Sequence, residues 1–171
     1  TLIYNYCREI KNDFDITFIT GLKSKNEWEY KFKEITPNIY HLANMFEDPK
    51  IYLEFISNYI KTREIDILHI IHNGFTFEFL SEIKKRNPNL KIIVTMFNDR
   101  VEYFEQSIGY EEYIDTYVSD NDSVATHYRS KLVRGTKVAV IPNGINCYKE
   151  FKTELFDVEA VKKDLGLNDK D

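Results

Sequence analysis

The sequence predicts an α/β fold with a mostly parallel, Rossmann-like sheet and helices on both of its faces. Two stretches, Ile65 to Ile71 (IDILHII) and Lys91 to Phe97 (KIIVTMF), are nearly continuous apolar runs, as strands covered on both faces require. Between the strand-like runs lie segments whose apolar residues recur at helical spacing. Repeated alternation of the two patterns is what parallel strands joined by helical crossovers produce.

Each element follows from its residues. Leu2, Ile3, Tyr6, Cys7 and Ile10 share a helical face, which Asn12-Asp13 ends. Phe14 to Thr20 is rich in β-branched and aromatic residues and stops at Gly21, so it reads as a strand. Lys23 to Asn38 is polar, with Trp28, Tyr30 and Phe32 at alternate positions, and reads as a loop or weak ribbon; Ile39 to Phe46 is a second strand. Asp48-Pro49 opens a helix with an acidic cap and a proline at the first helical position, and Tyr52, Phe55, Ile56, Tyr59 and Ile60 form its stripe.

The strand at Ile65 to Ile71 terminates at His72-Asn73-Gly74. Phe75, Phe79, Leu80 and Ile83 then give a helical face that stops at Asn87-Pro88. After Lys91 to Phe97, the acidic, Tyr-rich stretch Asn98 to Asp115 fits one helix and a loop around Gly109. Thr116 to Ser119 is a short strand, and Ser119 with Asp122 has capping-pair spacing for the helix of Val124, Ala125, Tyr128 and Leu132. Lys137 to Ile141 is the last strand, closed by Pro142-Asn143-Gly144, where Gly permits and Asn tolerates a positive φ. Asp157 to Leu165 is a final helix with Gly166 at its end.

Composition excludes several classes. The hydrophobic share of 43% and charged share of 30% describe a packed domain, and 171 residues suffice for one ordinary core. Net charge is −5, and the densest basic run, Lys84-Lys85-Arg86, falls at a predicted helix C-terminus, where cations suit the macrodipole. A nucleic-acid partner is therefore not expected. Cys7 and Cys147 are far apart and have no metal-site spacing, which fits a reducing cytosol. No apolar run is long enough to span a bilayer. Acidic residues are scattered with no D-x-D after a strand, and the 6 glycines form no phosphate loop, so neither a metal nor a bound cofactor is expected.

Ligands of open parallel sheets sit outside the carboxyl ends of the strands. That rule selects His72, Asn73 and Gly74 after one strand, Asn98, Asp99 and Arg100 after the next, and Ser119 after the third. His72 is suited to donate to a hydroxyl or phosphate or simply to end its strand, Arg100 to grip a phosphate or, more simply, to form a surface salt bridge, and Asp99 to act as a base or to cap the following helix. Ser119 reads more simply as a helix cap. His69 points to the opposite side of its strand from His72 and reads as a core histidine, while His41 and His127 have no partner visible in the sequence.

Three segments together resemble retaining glycosyltransferases of family 4, which have the two-lobed GT-B fold. Asp66-Ile67-Leu68-His69-Ile70-Ile71-His72-Asn73 is similar to a strand end of that family, Asp115 to Asp120 (DTYVSD) to its strand leading into a Ser and a helix, and Val138 to Asn146 (VAVIPNGIN) to the segment closing its first lobe. The resemblance implies that residues 1–150 form the acceptor-side lobe and that 151–171 are a linker and bridging helix toward a second lobe that binds the sugar nucleotide. It implies transfer of a sugar from a nucleotide-sugar donor to a glycan or lipid-linked acceptor, without metal, in the cytoplasm and at times against the inner face of a membrane. Asn143 and Gly144 would then shape the interdomain turn.

Two departures stand out. The family's first strand has no counterpart before the helix at Leu2, and that strand sits centrally, so either it lies upstream of Thr1 or the sheet closes differently. Where many members carry a functional His, this chain has Phe97, which makes Phe97, Asn98 and Asp99 the substitute contacts. The competing reading is a non-catalytic Rossmann-like module that binds a glycan or a protein; a sugar-nucleotide epimerase of related fold fits the Pro142-Asn143-Gly144 turn less well.

Overall fold

The computed structural model describes residues 2–99, 102–144, 152, 154 and 156–167. They fall into two units, Asp15–Pro142 and a second made of Thr1–Phe14 with Asn143–Asp171. The fold is α/β with parallel strands, as the apolar runs predict.

The second unit is small. Helix α1 (Leu2–Ile10) carries a buried Cys7, whose thiol is pushed up to about 11 by burial. The chain's last described helix, Val158–Asp164, has Asp157 at its N-cap, accepting from the Ala160 amide at 3.1 Å, and Gly166 at φ 67 after its end.

The main unit holds two parallel sheets. β1 (Phe18–Thr20) pairs with β2 (Ile39–His41), and β3 (Ile67–Ile71), β4 (Lys91–Met96), β5 (Thr116–Ser119) and β6 (Lys137–Val140) pair in the order β3-β4-β5-β6. No ladder joins β1 to β3, so the strands do not close into one sheet. Helix α2 (Glu29–Phe32) follows β1, α3 (Leu42–Met45) and α4 (Lys50–Thr62) follow β2, and α5 (Leu80–Arg86) follows β3 after a 3-10 turn. Helices α6 (Glu102–Gly109) and α7 (Asp122–Lys131) cross from β4 to β5 and from β5 to β6; the last helix is α8.

Several predicted elements shrink or change. Of Phe14 to Thr20 only the last three residues pair, because β2 is equally short, and Phe14 stays 53% exposed. The predicted strand Ile39 to Phe46 bends into a helix after His41: Leu42 is wholly buried, and the Phe46 amide bonds its carbonyl at 2.8 Å. An apolar pair four apart serves a helical face as well as a strand, and burial decided. The expected ribbon at 23–38 contains α2, whose Phe32 meets Phe18 edge-on at 4.8 Å. Asn121, not Ser119, caps α7, accepting from the Val124 amide at 2.9 Å. Neither Asn143 nor Gly144 takes a positive φ, so that turn does not need left-handed backbone.

The core lies around β4 and β5. Ile92, Val94, Met96, Tyr117, Phe77, Leu80, Phe104 and Tyr128 are shut off from water, each contributing about 1.5–3 kcal/mol by burial. Around Tyr117 the buried polar atoms are partnered, as such burial demands. Tyr117 Oη donates to the Ser107 carbonyl at 2.8 Å, and the Ser107 hydroxyl donates to the Phe104 carbonyl at 2.7 Å. At the amino-terminal edge, Asp115 accepts from the Ile92 amide at 2.9 Å and from Lys91 Nζ at 3.0 Å.

Glu111, 5% exposed, sits just before β5 and accepts from the amides of Val133, Arg134 and Thr136 and from the Thr136 hydroxyl, at 2.8–3.3 Å. It ties the turn before β6 to the turn before β5. Burial alone would raise its carboxyl, but the donors from Val133, Thr136 and Arg134 outweigh burial and hold it below the ordinary carboxylate range. The folded state therefore prefers the charged form, so this contribution is present above the ordinary carboxylate range and is lost as pH falls through the depressed folded value.

β3 was expected to be covered on both faces, yet only Ile70 is buried and Ile67 is 40% exposed. Its edge position is the reason. The Asp66 carbonyl and the His72 amide bond β4, so by strand alternation Ile67, His69 and Ile71 turn their backbone groups to the open edge.

Two outcomes are expected. Amide exchange at Ile67, His69 and Ile71 is at least about tenfold faster than at Leu68 and Ile70, measured residue by residue by NMR. Glu111→Ala costs about 3 kcal/mol in urea unfolding at neutral pH and flattens the acid limb of the stability profile.

Candidate functional site

The in-register ladder brings the strand ends together. Met96 of β4 aligns with Ser119 of β5 and Ser119 with Val140 of β6, while Ile71 of β3 aligns with Thr95. The residues that follow these ends form the carboxyl rim. The ladder reaches into it, because the His72 amide bonds the Thr95 carbonyl at 2.9 Å and the Ile141 amide bonds the Ser119 carbonyl at 2.8 Å.

His72 leaves β3 with φ 48, which turns the chain sharply at the rim, and histidine is among the residues that tolerate this region. Its ring stacks on Phe97, the residue after β4, with centroids 5.7 Å apart and planes at 30°. Both side chains are half-buried and together make an aromatic shelf across two strand ends. Asn73 accepts from the Thr76 hydroxyl at 3.4 Å, which leaves its amide nitrogen as a donor. Gly74, at φ −88, leads into the 3-10 turn.

Asn98 is exposed and Asp99 half-buried. Asp99 Oδ2 lies 2.8 Å from His127 Nδ1 on α7. Across the ring, His127 Nε2 stands 3.9 Å from Glu105 Oε1, and that oxygen is 3.5 Å from Lys131 Nζ. The Phe104 ring packs against the imidazole at 4.9 Å. A carboxylate only accepts, so Asp99 fixes the Nδ1 proton and directs the Nε2 position to the half-exposed side. Such a pair can hold a hydroxyl and exchange a proton with it.

Sequence reasoning left His127 without a role. The signal was faint: an Asp just past one strand, and a His in the second turn of the helix leaving the next. Both fall on the carboxyl side, because α7 starts at the rim, but only the fold sets them face to face.

Not every selected residue serves the rim. Ser119 is fully buried; its hydroxyl donates to the Asn121 carbonyl at 2.6 Å and accepts the Asn121 amide at 3.1 Å, so it builds the turn into α7. Arg100 lies outside the described residues, as does Cys147. Asn143 and Gly144 are exposed and belong to the other unit. His69 is the core histidine expected: its Nε2 is 2.7 Å from the Thr95 hydroxyl, and burial pulls its pKa down to about 4. Among the described residues no three His, Cys, Asp or Glu side chains converge as metal ligands would.

Two surface concavities lie elsewhere. One, of about 510 Å³, is lined by Ser81, Lys84, Pro88 and Tyr113 at the amino-terminal edge; the other, of about 360 Å³, lies between α4 and the start of β4. Neither includes a rim residue. Both are open depressions, and the rim has the convergent polar groups that make a site.

His69 gives a pH prediction with a definite sign. An unfolded His takes up a proton near 6.5 and the folded one only near 4, so stability declines as pH falls through that window and is fully kept above it. Following imidazole carbon shifts by NMR checks this: His69 titrates near 4.

No protein-family model matches this chain, and no curated protein matches it in sequence.

Proposed function

We propose that this chain is the acceptor-binding lobe of a retaining glycosyltransferase of the GT-B, family 4 type, which moves a sugar from a nucleotide-sugar donor to a hydroxyl of a glycan or lipid-linked acceptor. The observation that carries the reading is the carboxyl rim, where the His72–Phe97 shelf and the Asp99–His127 pair stand at neighbouring strand ends. Sugars are held by aromatic faces and directed hydrogen bonds, and the rim offers both. The open edges of β1 and β3 also fit the family's topology, which has one more strand between them.

In this reading the sugar ring lies on the shelf, with Asn73 and Asn98 bonding its hydroxyls. His127 Nε2 orients the attacking hydroxyl, and Asp99 keeps the ring in the tautomer that can accept. The groups that stabilise the leaving diphosphate belong to a second, donor-binding lobe, so this chain alone binds without turning over. The enzyme works in the cytoplasm and reaches lipid-linked acceptors from the membrane surface. No helix among the described residues is long and apolar enough to cross a membrane.

A second reading has one observation in its favour. Phe97 stands where the resemblance implies a functional His, so the rim also suits a glycan-binding module without transfer.

NMR titration of the chain with soluble oligosaccharides and with short-chain polyprenyl phosphate sugars separates the outcomes. Shifts should concentrate at His72, Asn73, Asp99 and His127, and Asp99→Ala should weaken binding by about tenfold, the worth of one charge-assisted contact. Sugar nucleotides alone should leave these residues unmoved. Binding of neither acceptor class at the rim would refute both readings; binding without transfer once the chain is joined to a donor lobe would select the module.

A further inference from the structure

A second polar constellation lies at the carboxyl edge of the two-stranded sheet. Thr20 ends β1 and His41 ends β2, and parallel pairing sets the two directly abreast. Thr20 Oγ1 is 2.8 Å from His41 Nδ1. His41 Nε2 is 3.2 Å from Glu29 Oε2, in the first turn of α2. The other carboxylate oxygen of Glu29 is 2.7 Å from Lys33 Nζ. The imidazole is only 16% exposed. Asn44 Nδ2 donates to the Ser24 carbonyl at 3.3 Å, which fastens the loop between Thr20 and Glu29 to α3.

The proton positions follow from these contacts. Lys33, and then His41, hold the Glu29 carboxyl below its ordinary range, so it is an anion and only accepts. His41 Nε2 must therefore carry a proton. In the neutral ring Nδ1 is then a lone pair, and the Thr20 hydroxyl is the donor. The line runs from hydroxyl to imidazole to carboxylate, the order of nucleophile, base and orienting acid. Neither the hydroxyl nor the imidazole belongs to the rim beyond β3–β5.

We propose that Thr20, His41 and Glu29 form an activated-hydroxyl site that accepts an acyl group from an activated ester. Thr20 Oγ bonds the ester carbonyl carbon while its proton moves to His41 Nδ1, and Glu29 stabilises the imidazolium. The carbon–oxygen bond to the leaving alcohol breaks, and that oxygen takes the proton from Nδ1. Water, deprotonated by the same nitrogen, then attacks the acyl-threonine and returns the free hydroxyl. This activity is independent of the sugar-transfer reading.

The whole chain treated with a fluorophosphonate provides the test, since that probe reports an activated hydroxyl by forming an oxygen–phosphorus bond and expelling fluoride. Intact-mass analysis and peptide mapping should find one adduct per chain, on Thr20. Thr20→Val should abolish it, His41→Gln should slow it by about 100-fold, and Glu29→Gln by about tenfold. Circular dichroism of each variant checks that it is folded. Absence of a Thr20 adduct on the unaltered chain overturns the proposal without reference to any variant, as does equal labelling of a folded His41→Gln.

Discussion

Parallel backbone pairing is the constraint on which the rest of this structure depends. Strands that all run one way must be joined by crossovers, and here helices supply them. The same rule puts every carboxyl end on one edge. The residues that leave β3, β4 and β5 are therefore neighbours although they are far apart in the chain, and α7 begins among them because it follows β5. The backbone bonds of His72 and Ile141 carry the ladder past the last strand residues, so the rim is held by the sheet itself.

Charge is used differently at the two edges. At the amino-terminal edge, Asp115 and Glu111 accept backbone amides and tie strand starts together. Their partners are fixed, so they are staples. At the carboxyl edges, Asp99, His127 and Glu29 are partly exposed and His41 less so, and each histidine joins an acidic partner to a second polar group. Stability is concentrated where the chain enters the strands, and exchangeable protons where it leaves them.

Both histidine constellations depend on one property of imidazole. A carboxylate on one ring nitrogen determines what the other can do. Asp99 acts through Nδ1 of His127, and Glu29 through Nε2 of His41. His69 meets a buried hydroxyl, that of Thr95, and burial keeps its ring neutral. These three histidines thus have three different environments, set by what packs beside each.

The sequence by itself determined the class of fold and most of its order. Continuous apolar runs at Ile65 to Ile71 and Lys91 to Phe97 marked strands, and helical spacing between them required crossovers. It also located the rim residues His72, Asn73, Phe97, Asn98 and Asp99, because strand ends are visible as a change of pattern. Tertiary structure alone decided the partners. Pairing Asp99 with His127, or Thr20 with His41 and Glu29, needs the register between strands and the rotation of a helix, and neither leaves a local trace. It also decided that Leu42 to Met45 is helical, that Asn121 and not Ser119 caps α7, and that β3 stands at an open edge. In each case a short segment was compatible with two local conformations, and burial of a side chain or a backbone bond to a distant strand chose between them.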